Sequence, residues 1–355
     1  MKPVPPSSRI IRVGIVGAGD NTRRRHLPHL EDIADVEVVA VCNRTRDSAE
    51  QVARDWGIAT VHDDWQALVE SDDLDAVVIG TWPNMHRAVT LGALQAGKHV
   101  LCEARMAMDA QEAYDMLAAA RARPDLVTQL VPSPLSFGVD KTIGRLIANG
   151  YLGTPLSLDV EVRSGTFPDP ASSLHWRDDV ERSGRNVMSL GIWYETVMRW
   201  IGEATSVTAA GKVIVRSRMD SSGVATPIRI PDHLDVIADM ECGAQAHFHF
   251  SNVSGIITSS RATLFGADGV LQLDGGSLLG GRRGDTALRP IDIPADEVGH
   301  WRVEEEFIGA IRGEEEVTLT DFLTGMKYME FTEAVWMSLG HGRRITLPLD
   351  GFKRT

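Results

Sequence analysis

The stretch Gly17-Ala18-Gly19-Asp20-Asn21 follows directly on the apolar run Ile11-Arg12-Val13-Gly14-Ile15-Val16, and glycines at that spacing suit one task, the approach of a pyrophosphate to the backbone. Gly17 makes the tight turn, Gly19 lets N–H groups come close, and the N-terminus of the following helix favours the negative charge. Thr22 stands where a third glycine is usual and Arg23, Arg24 and Arg25 follow, so the stretch alone is equally readable as a plain strand-turn-helix corner. A second apolar run, Val36 to Cys42, ends in Asn43-Arg44. An acidic residue there would accept from a ribose 2′-OH, whereas a neutral one beside an arginine admits a 2′-phosphate, so NADP is the expected cofactor with NAD as the alternative. Thr45 and Arg46 are expected to add contacts, against the reading that Arg44 and Arg46 only solvate a turn. Two later runs end in Thr81-Trp82-Pro83-Asn84-Met85-His86 and in Glu103-Ala104-Arg105.

These residues must be held by a frame, and the pattern supplies one. Helical stretches at 48–56, 87–96 and from Asp109 onward alternate with strands at 11–16, 36–42, 74–80, 99–102 and 127–131. Strands alternating with helices predict an α/β Rossmann domain, a doubly wound parallel sheet that binds its ligand beyond the carboxyl ends of its strands. Pro132-Ser133-Pro134 breaks the pattern, which places the boundary between a nucleotide-binding domain, residues 1–132, and a substrate-binding and oligomerisation domain, residues 133–355. In the latter, helices at 139–149, 187–201, 302–312 and 321–337 accompany strands at 156–163, 207–215, 236–241, 244–250, 260–266 and 270–273, with 345–349 a final edge strand. The expectation is an α+β domain with one open antiparallel sheet, whose uncovered face would be buried against another subunit in a homo-oligomer, a dimer or tetramer.

The 355 residues are more than one core usually serves, and 43% hydrophobic with 24% charged residues is ordinary for a globular chain. No apolar run approaches the roughly 20 residues of a membrane span. The proline- and serine-rich residues 1–9 lack a hydrophobic segment and read as a loose tail, so a cytoplasmic protein is expected. A net charge of −13 argues against a nucleic-acid surface. Cys42, Cys102 and Cys242 give neither a disulfide framework nor metal-ligand spacing and read as buried thiols. His247 and His249 share one strand face, but no acidic or cysteine partner stands near them in sequence, so packing is preferred to a metal and no metal site is expected.

With these units in place the chain resembles the Gfo/Idh/MocA oxidoreductase family over essentially its whole length. The resemblance rests on Gly17-Ala18-Gly19, the Thr81 to His86 turn, Ala96-Gly97-Lys98-His99-Val100-Leu101-Cys102-Glu103, Trp176-Arg177 leading to Ser183-Gly184-Arg185-Asn186, and Gly342-Arg343-Arg344-Ile345 before Leu347-Pro348. It implies a bound NAD or NADP and hydride exchange with a hydroxyl or carbonyl carbon of a sugar- or cyclitol-like substrate. The cofactor is then expected across Gly17, Gly19, Asp20, Asn21, Asn43, Arg44, Thr81, Trp82, Asn84, His86 and Glu103, with Trp176 and Arg177.

Two departures stand out. Family members follow the glutamate with Lys-Pro, whose amine acts on the reacting oxygen, and here the positions are Ala104 and Arg105. A later family Asp and His, four residues apart around a glycine, align with Ser189 and Trp193. The replacements must come from nearby. Arg105 cannot be a base, but it can clamp an alkoxide or carboxylate, or it can pair with Glu103. His175 has the pKa range of a proton shuttle, against an exposed loop histidine. Tyr194 adjoins the lost histidine position, and Glu195 has Arg199 four residues on as a plain ion pair. Three functions therefore stand: an oxidoreductase with an atypical acid/base set, a redox-neutral elimination or glycosidic cleavage on an internally recycled NAD(P), and a nucleotide-bound sensor without catalysis.

Overall fold

The computed structural model describes residues 9–351, and the expected N-terminal tail, residues 1–8 of it, lies outside them. Six strands form the first sheet: β1 Ile11–Val16, β2 Val36–Cys42, β3 Thr60–Val61, β4 Ala76–Ile79, β5 His99–Cys102 and β6 Thr128–Leu130. Their order is β3-β2-β1-β4-β5-β6, and every pairing is parallel. Parallel strands are covered on both faces and so read as unbroken apolar runs. All four residues of β4 are buried, for example. The order reverses between β1 and β4, which opens the crevice where the glycine turn, Thr81 and the residues after β5 converge.

The helices that return the chain start and stop as their sequences dictate. Helix Arg46–Trp56 is capped by the Thr45 hydroxyl, which accepts from the Ser48 amide, and it stops at Gly57 in the left-handed region. Helix Pro83–Gln95 opens with proline at its first position.

The chain divides into two compact units: 1–107, 112–132 and 302–326 in the first, and 108–111, 133–301 and 327–355 in the second. One break falls after Pro132, and the division is not contiguous, because residues 302–326 return to the first unit. There Leu130 N–H of β6 donates to the Thr320 carbonyl at 3.0 Å.

The second unit contains β7 Pro155–Ser164, β8 Ala204–Lys212, β9 Ser217–Met219, β10 Ala225–Pro227, β11 His233–Met240, β12 Gln245–Ser251, β13 Thr258–Gly266, β14 Gly269–Asp274, β15 Ser277–Arg282, β16 Arg289–Pro290 and β17 Ile345–Thr346. β9 and β10 form a separate ribbon, and the rest make one sheet in the order β16-β15-β14-β13-β7-β12-β11-β8-β17. The sheet is mixed rather than antiparallel throughout, since β7 and β12 run parallel. Its inner face carries Leu234, Val236, Ala246, Phe248 and Val160, all buried. Phe248 meets Tyr194 edge-on, and Tyr194 stacks on Phe331 with centroids 3.6 Å apart.

The outer face departs in part from the expectation of an uncovered apolar surface. On β7, β11 and β12 it carries Asp159, Glu161, Arg163, Asp235, His247 and His249 and is polar apart from the exposed Ile237, whereas half-buried Phe265, Val270 and Leu279 share the face on β13, β14 and β15. Among the described residues no helix is long and apolar enough to cross a membrane. Cys42 and Cys102 are buried as expected, but Cys242 is exposed in the β11–β12 hairpin.

Candidate functional site: a dinucleotide cradle and its charged floor

The cradle is built in the first unit from the ends of β1, β2, β4 and β5. Gly17 has φ +89, and a Cβ there would stand 2.7 Å from the Thr81 amide nitrogen. Any side chain would therefore be both strained and obstructed. Asn43 ties the second strand end to the turn, its Oδ1 accepting from the Ala18 amide at 2.6 Å. Asp20 and Asn21 begin the helix, and their first-turn N–H groups lack intrahelical acceptors, as an anion site requires. Thr81 Oγ1 is buried without a hydrogen-bond partner among the described residues, so the cradle holds a polar atom waiting for one. The residues present thus fit a dinucleotide.

The missing third glycine has a structural answer. Thr22 is buried, its hydroxyl donates to the Gly17 carbonyl at 3.1 Å, and it occupies the space that Gly80 leaves by having no side chain. Close packing of helix on strand is kept by moving the glycine to the facing strand end. Residues Thr22–His26 form a π-helical turn, which widens the helix by one residue per turn and is often found at functional sites.

That turn brings in a residue the sequence reading passed over. His26 is fully buried, with Nδ1 against Glu304 and Nε2 3.1 Å from Glu103 Oε1. Burial alone would lower its pKa, but hydrogen bonds to the two glutamates and their charges outweigh it and push the imidazole up to about 9. For Glu103, burial opposes ionisation, yet the hydrogen bond and charge of His26, the Asn21 amide and the Ala104 N–H hold its pKa below the usual range. Glu103 is thus a fixed carboxylate on an imidazolium. Glu103, His26 and Glu304 form a triad. Glu304 lies 278 residues from His26 in sequence, so no local pattern announced it.

His86, expected in the cofactor pocket, acts as a brace between backbone carbonyls. Nε2 faces the Thr81 carbonyl at 3.0 Å, and Nδ1 faces those of Arg105 at 3.0 Å and Met106 at 3.2 Å, so one ring joins the loops after β4 and β5. Burial holds its pKa below normal despite these acceptors. Arg105 is 6% exposed at the end of β5, in the first unit with the cradle. Asn84 is exposed in the first turn of its helix, and Asp20 is ion-paired with Arg24.

At the second strand end the guanidinium of Arg44 lies 5.1 Å over the Trp82 ring, closing the outer edge of the crevice. Its expected helpers are committed elsewhere. Thr45 caps the helix, and Arg46 is paired with Glu50 at 2.9 Å and Asp63 at 2.6 Å. Arg44 alone is left to read a 2′-phosphate.

In the second unit, Tyr194 is corrected from a candidate catalyst to a core residue. It is 2% exposed, and its hydroxyl accepts from the Ala204 amide at 2.8 Å while its ring stacks on Phe331. Glu195 is also buried, its carboxylate bound to the Ser133 amide and to Arg199 at 2.8 Å, which anchors the start of the unit. Trp193 is buried too. His175 is exposed on the loop before helix Val180–Ser183, and its Nδ1 accepts from the Arg177 amide at 3.3 Å. Partial burial and the charges of Arg177 and Arg218 lower its pKa. The neighbouring Asp178, also passed over in sequence, has its pKa raised by burial, though Arg218 at 3.4 Å opposes this. Trp176 and Arg177 pair with each other, guanidinium to ring centroid 4.2 Å. In the Ser183 to Asn186 motif Gly184 has φ +64, with the Met108 backbone against its Cβ position, and Arg185 N–H donates to the Met108 carbonyl at 2.7 Å.

Comparison with known proteins agrees with this geometry. Residues 11–129 match the model for the oxidoreductase family with an NAD-binding Rossmann fold, and residues 141–272 match the GFO/IDH/MocA C-terminal domain. A dTDP-3,4-didehydro-2,6-dideoxy-alpha-D-glucose 3-reductase of Streptomyces antibioticus is 30% identical over 273 residues, 76% of each chain. A trans-1,2-dihydrobenzene-1,2-diol dehydrogenase of Bos taurus is 26% identical over 264 residues, 74% of this chain and 72% of that one. Among solved structures, a levoglucosan dehydrogenase in complex with NADH and L-sorbose superposes with a TM-score of 0.81 at 20% identity, covering 95% of this chain and 99% of the other.

Proposed function

Because the chain belongs to the Gfo/Idh/MocA family of NAD(P)-dependent oxidoreductases, we propose that it exchanges a hydride with a ring carbon bearing a hydroxyl or carbonyl in a sugar-, glycoside- or cyclitol-like substrate. The observation that carries the reading is the cradle at the switch point between β1 and β4, where the unpartnered Thr81 hydroxyl and the first N–H groups of the opening helix face one place beside the Gly17 turn. The named relatives act on a keto-deoxysugar nucleotide and on a cyclic diol, which share a secondary oxygen on a six-membered ring.

When bound, the nicotinamide supplies or accepts the hydride. The chain's own residues do the rest. Glu103, fixed as an anion by His26, Asn21 and the Ala104 amide, sets the charge at the end of β5. Arg105 follows two residues on, and its guanidinium holds the substrate oxygen as negative charge develops there. His175, lowered in pKa, is the candidate proton carrier. A cytoplasmic location and a homo-oligomer belong to the same proposal, and light scattering tests the assembly.

The deciding experiment is the absorbance spectrum of the purified protein followed by turnover on cyclic polyols. Net reduction of added NAD(P) by a sugar-like alcohol is expected. Turnover with co-purified, never-released reduced nicotinamide would show the redox-neutral cycle instead, and bound nucleotide with no turnover would show a sensor.

A further inference from the structure

The outer face of the second unit's sheet holds a cluster that lies outside the dinucleotide chemistry. Strands β11 and β12 pair so that Asp235 stands opposite His249, with His233 and His247 on the two diagonals. Three imidazoles therefore converge on one carboxylate. His249 Nδ1 is 2.8 Å from Asp235 Oδ1, His247 Nε2 is 3.2 Å from the same oxygen, and His233 Nε2 is 3.5 Å from Oδ2. We propose that His233, Asp235 and His249 form a binding site for a first-row divalent transition ion of the zinc class, with His247 holding the carboxylate from the side.

Geometry supports this first. Ligand atoms at about 2.0–2.1 Å from a tetrahedral metal lie roughly 3.3–3.4 Å from one another. The separations from the Asp235 carboxylate bracket that value, and one donor atom from each of the three residues falls within 4.8 Å of the others. The His233 ring is also oriented as a ligand is. The other nitrogen of His233 is 3.3 Å from the Ser251 hydroxyl, so Nδ1–H donated to that oxygen leaves the Nε2 lone pair toward Asp235. A hydrogen bond at the far nitrogen is what fixes the tautomer of a metal-binding histidine. His233 and His249 meet edge to face with centroids 5.3 Å apart, which keeps both rings from closing over the carboxylate.

Across the register, Ala210 of β8 flanks Asp235 and Glu161 of β7 flanks His249, so one neighbour is neutral and the other adds negative charge, while the exposed Lys212 of β8 stands opposite His233. The nearest cation on β7, Arg163, is taken by Glu161 at 3.2 Å. Neutral imidazole and carboxylate donors suit zinc, cobalt or nickel rather than magnesium or calcium, which prefer oxygen. Three protein ligands leave a fourth position open to water or an added donor. The sequence hid the site because Asp235 lies on a different strand from His247 and His249, and only the hairpin register brings them together.

The test uses the full-length protein with Cys242→Ser, since that exposed thiol would bind metal on its own account. Co2+ is titrated and followed by visible absorption and calorimetry. Saturable binding at one ion per chain is expected, with the visible bands of low-coordinate nitrogen and oxygen ligation and a rise in Tm. Asp235→Asn and His249→Gln should each weaken binding by at least about tenfold, the loss seen even for residues that only support a ligand. His233→Gln, on the exposed side, should do the same while leaving the metal-free Tm unchanged. No saturable binding to the parent protein, or equal affinity in these variants, would overturn the assignment. NADP(H) binding is measured on the same samples and should not change.

Discussion

The imidazolium between Glu103 and Glu304 should make stability depend on pH in a sense opposite to ordinary acid denaturation, and removing it should abolish that dependence. His26 is raised from 6.5 to about 9 in the folded chain. A raised pKa means that its contribution is fully present below about 6.5 and is lost as pH rises through about 9. In that window the unfolded histidine has released its proton while the folded one keeps it, so stability falls by about 1.4 kcal/mol per pH unit. Over about 2.5 units this amounts to about 3 kcal/mol. Glu103 works the other way, because its lowered pKa gives stability present above about 4.5 and lost as pH falls through the folded value. The cluster is therefore most stabilising between those limits, at about pH 4.5 to 6.5. The assay is denaturant unfolding of wild type and His26→Asn from pH 6 to 9.5. The gap between them should be widest at pH 6 and shrink by about 3 kcal/mol across the series. A gap that stays constant or widens with pH would refute the charged-imidazole reading, as would a histidine resonance titrating near the unperturbed value.

Three further outcomes follow from particular contacts. Arg44→Ala should lower NADP affinity by about ten- to a hundredfold, the worth of one charge-assisted contact, and change NAD affinity little. Titration of both cofactors at fixed ionic strength checks this, and an equal loss for both would show that only the Trp82 stack was disturbed. Tyr194→Phe should cost about 1–3 kcal/mol by stranding the buried Ala204 N–H, while kcat stays near wild type. Loss of turnover at unchanged stability would return Tyr194 to the active site. Asp178→Asn should move the acidic limb of the kcat/KM profile to lower pH, because Asp178 raises the His175 pKa against the two arginines, and an unmoved limb would remove the pair from catalysis.

The parts of the fold that local physics dictates were legible in sequence. β2 and β5 begin and end where their apolar runs do, since covered parallel strands keep most positions apolar, with Glu37 an exposed exception in β2, and Gly57 stops its helix in the left-handed region as read. Strands without such a pattern were not seen. Thr60–Val61 has two residues, and Ser277–Arg282 carries adjacent glycines and no alternation. Nothing local marks the return of 302–326 to the first unit, and Glu304 was invisible for that reason. The glycine turn, Asn43, Thr81 and Glu103 could be singled out as candidates because each closely follows a strand, and His86 because it opens the helix after one. Tyr194 misled because a position beside a family motif says nothing about which way a helix turns its side chains.

The charged groups of the first unit narrow the search for the proton carrier. Arg105 carries a guanidinium one position beyond the family's lysine position, which is Ala104 here, and a guanidinium does not release a proton at neutral pH. His26 is held charged between two carboxylates, and its pKa near 9 leaves it no vacancy for a second proton. Glu103 accepts from His26, Asn21 and the Ala104 amide, so its lowered pKa makes it a poor base. His86 faces carbonyls at both nitrogens, and burial keeps it from charging. These residues can fix charge and orient a bound substrate, but none of them is poised to gain and lose a proton near neutrality. His175 differs, being exposed and with a pKa shifted down rather than up, so that it is neutral at pH 7 and able to accept. His175→Gln should therefore abolish the acidic limb of the kcat/KM profile and lower kcat by about 10²–10⁴-fold, with cofactor affinity unchanged. Wild-type kcat in that variant would mean that the proton passes to water, and that Arg105 stabilises an alkoxide without a general base.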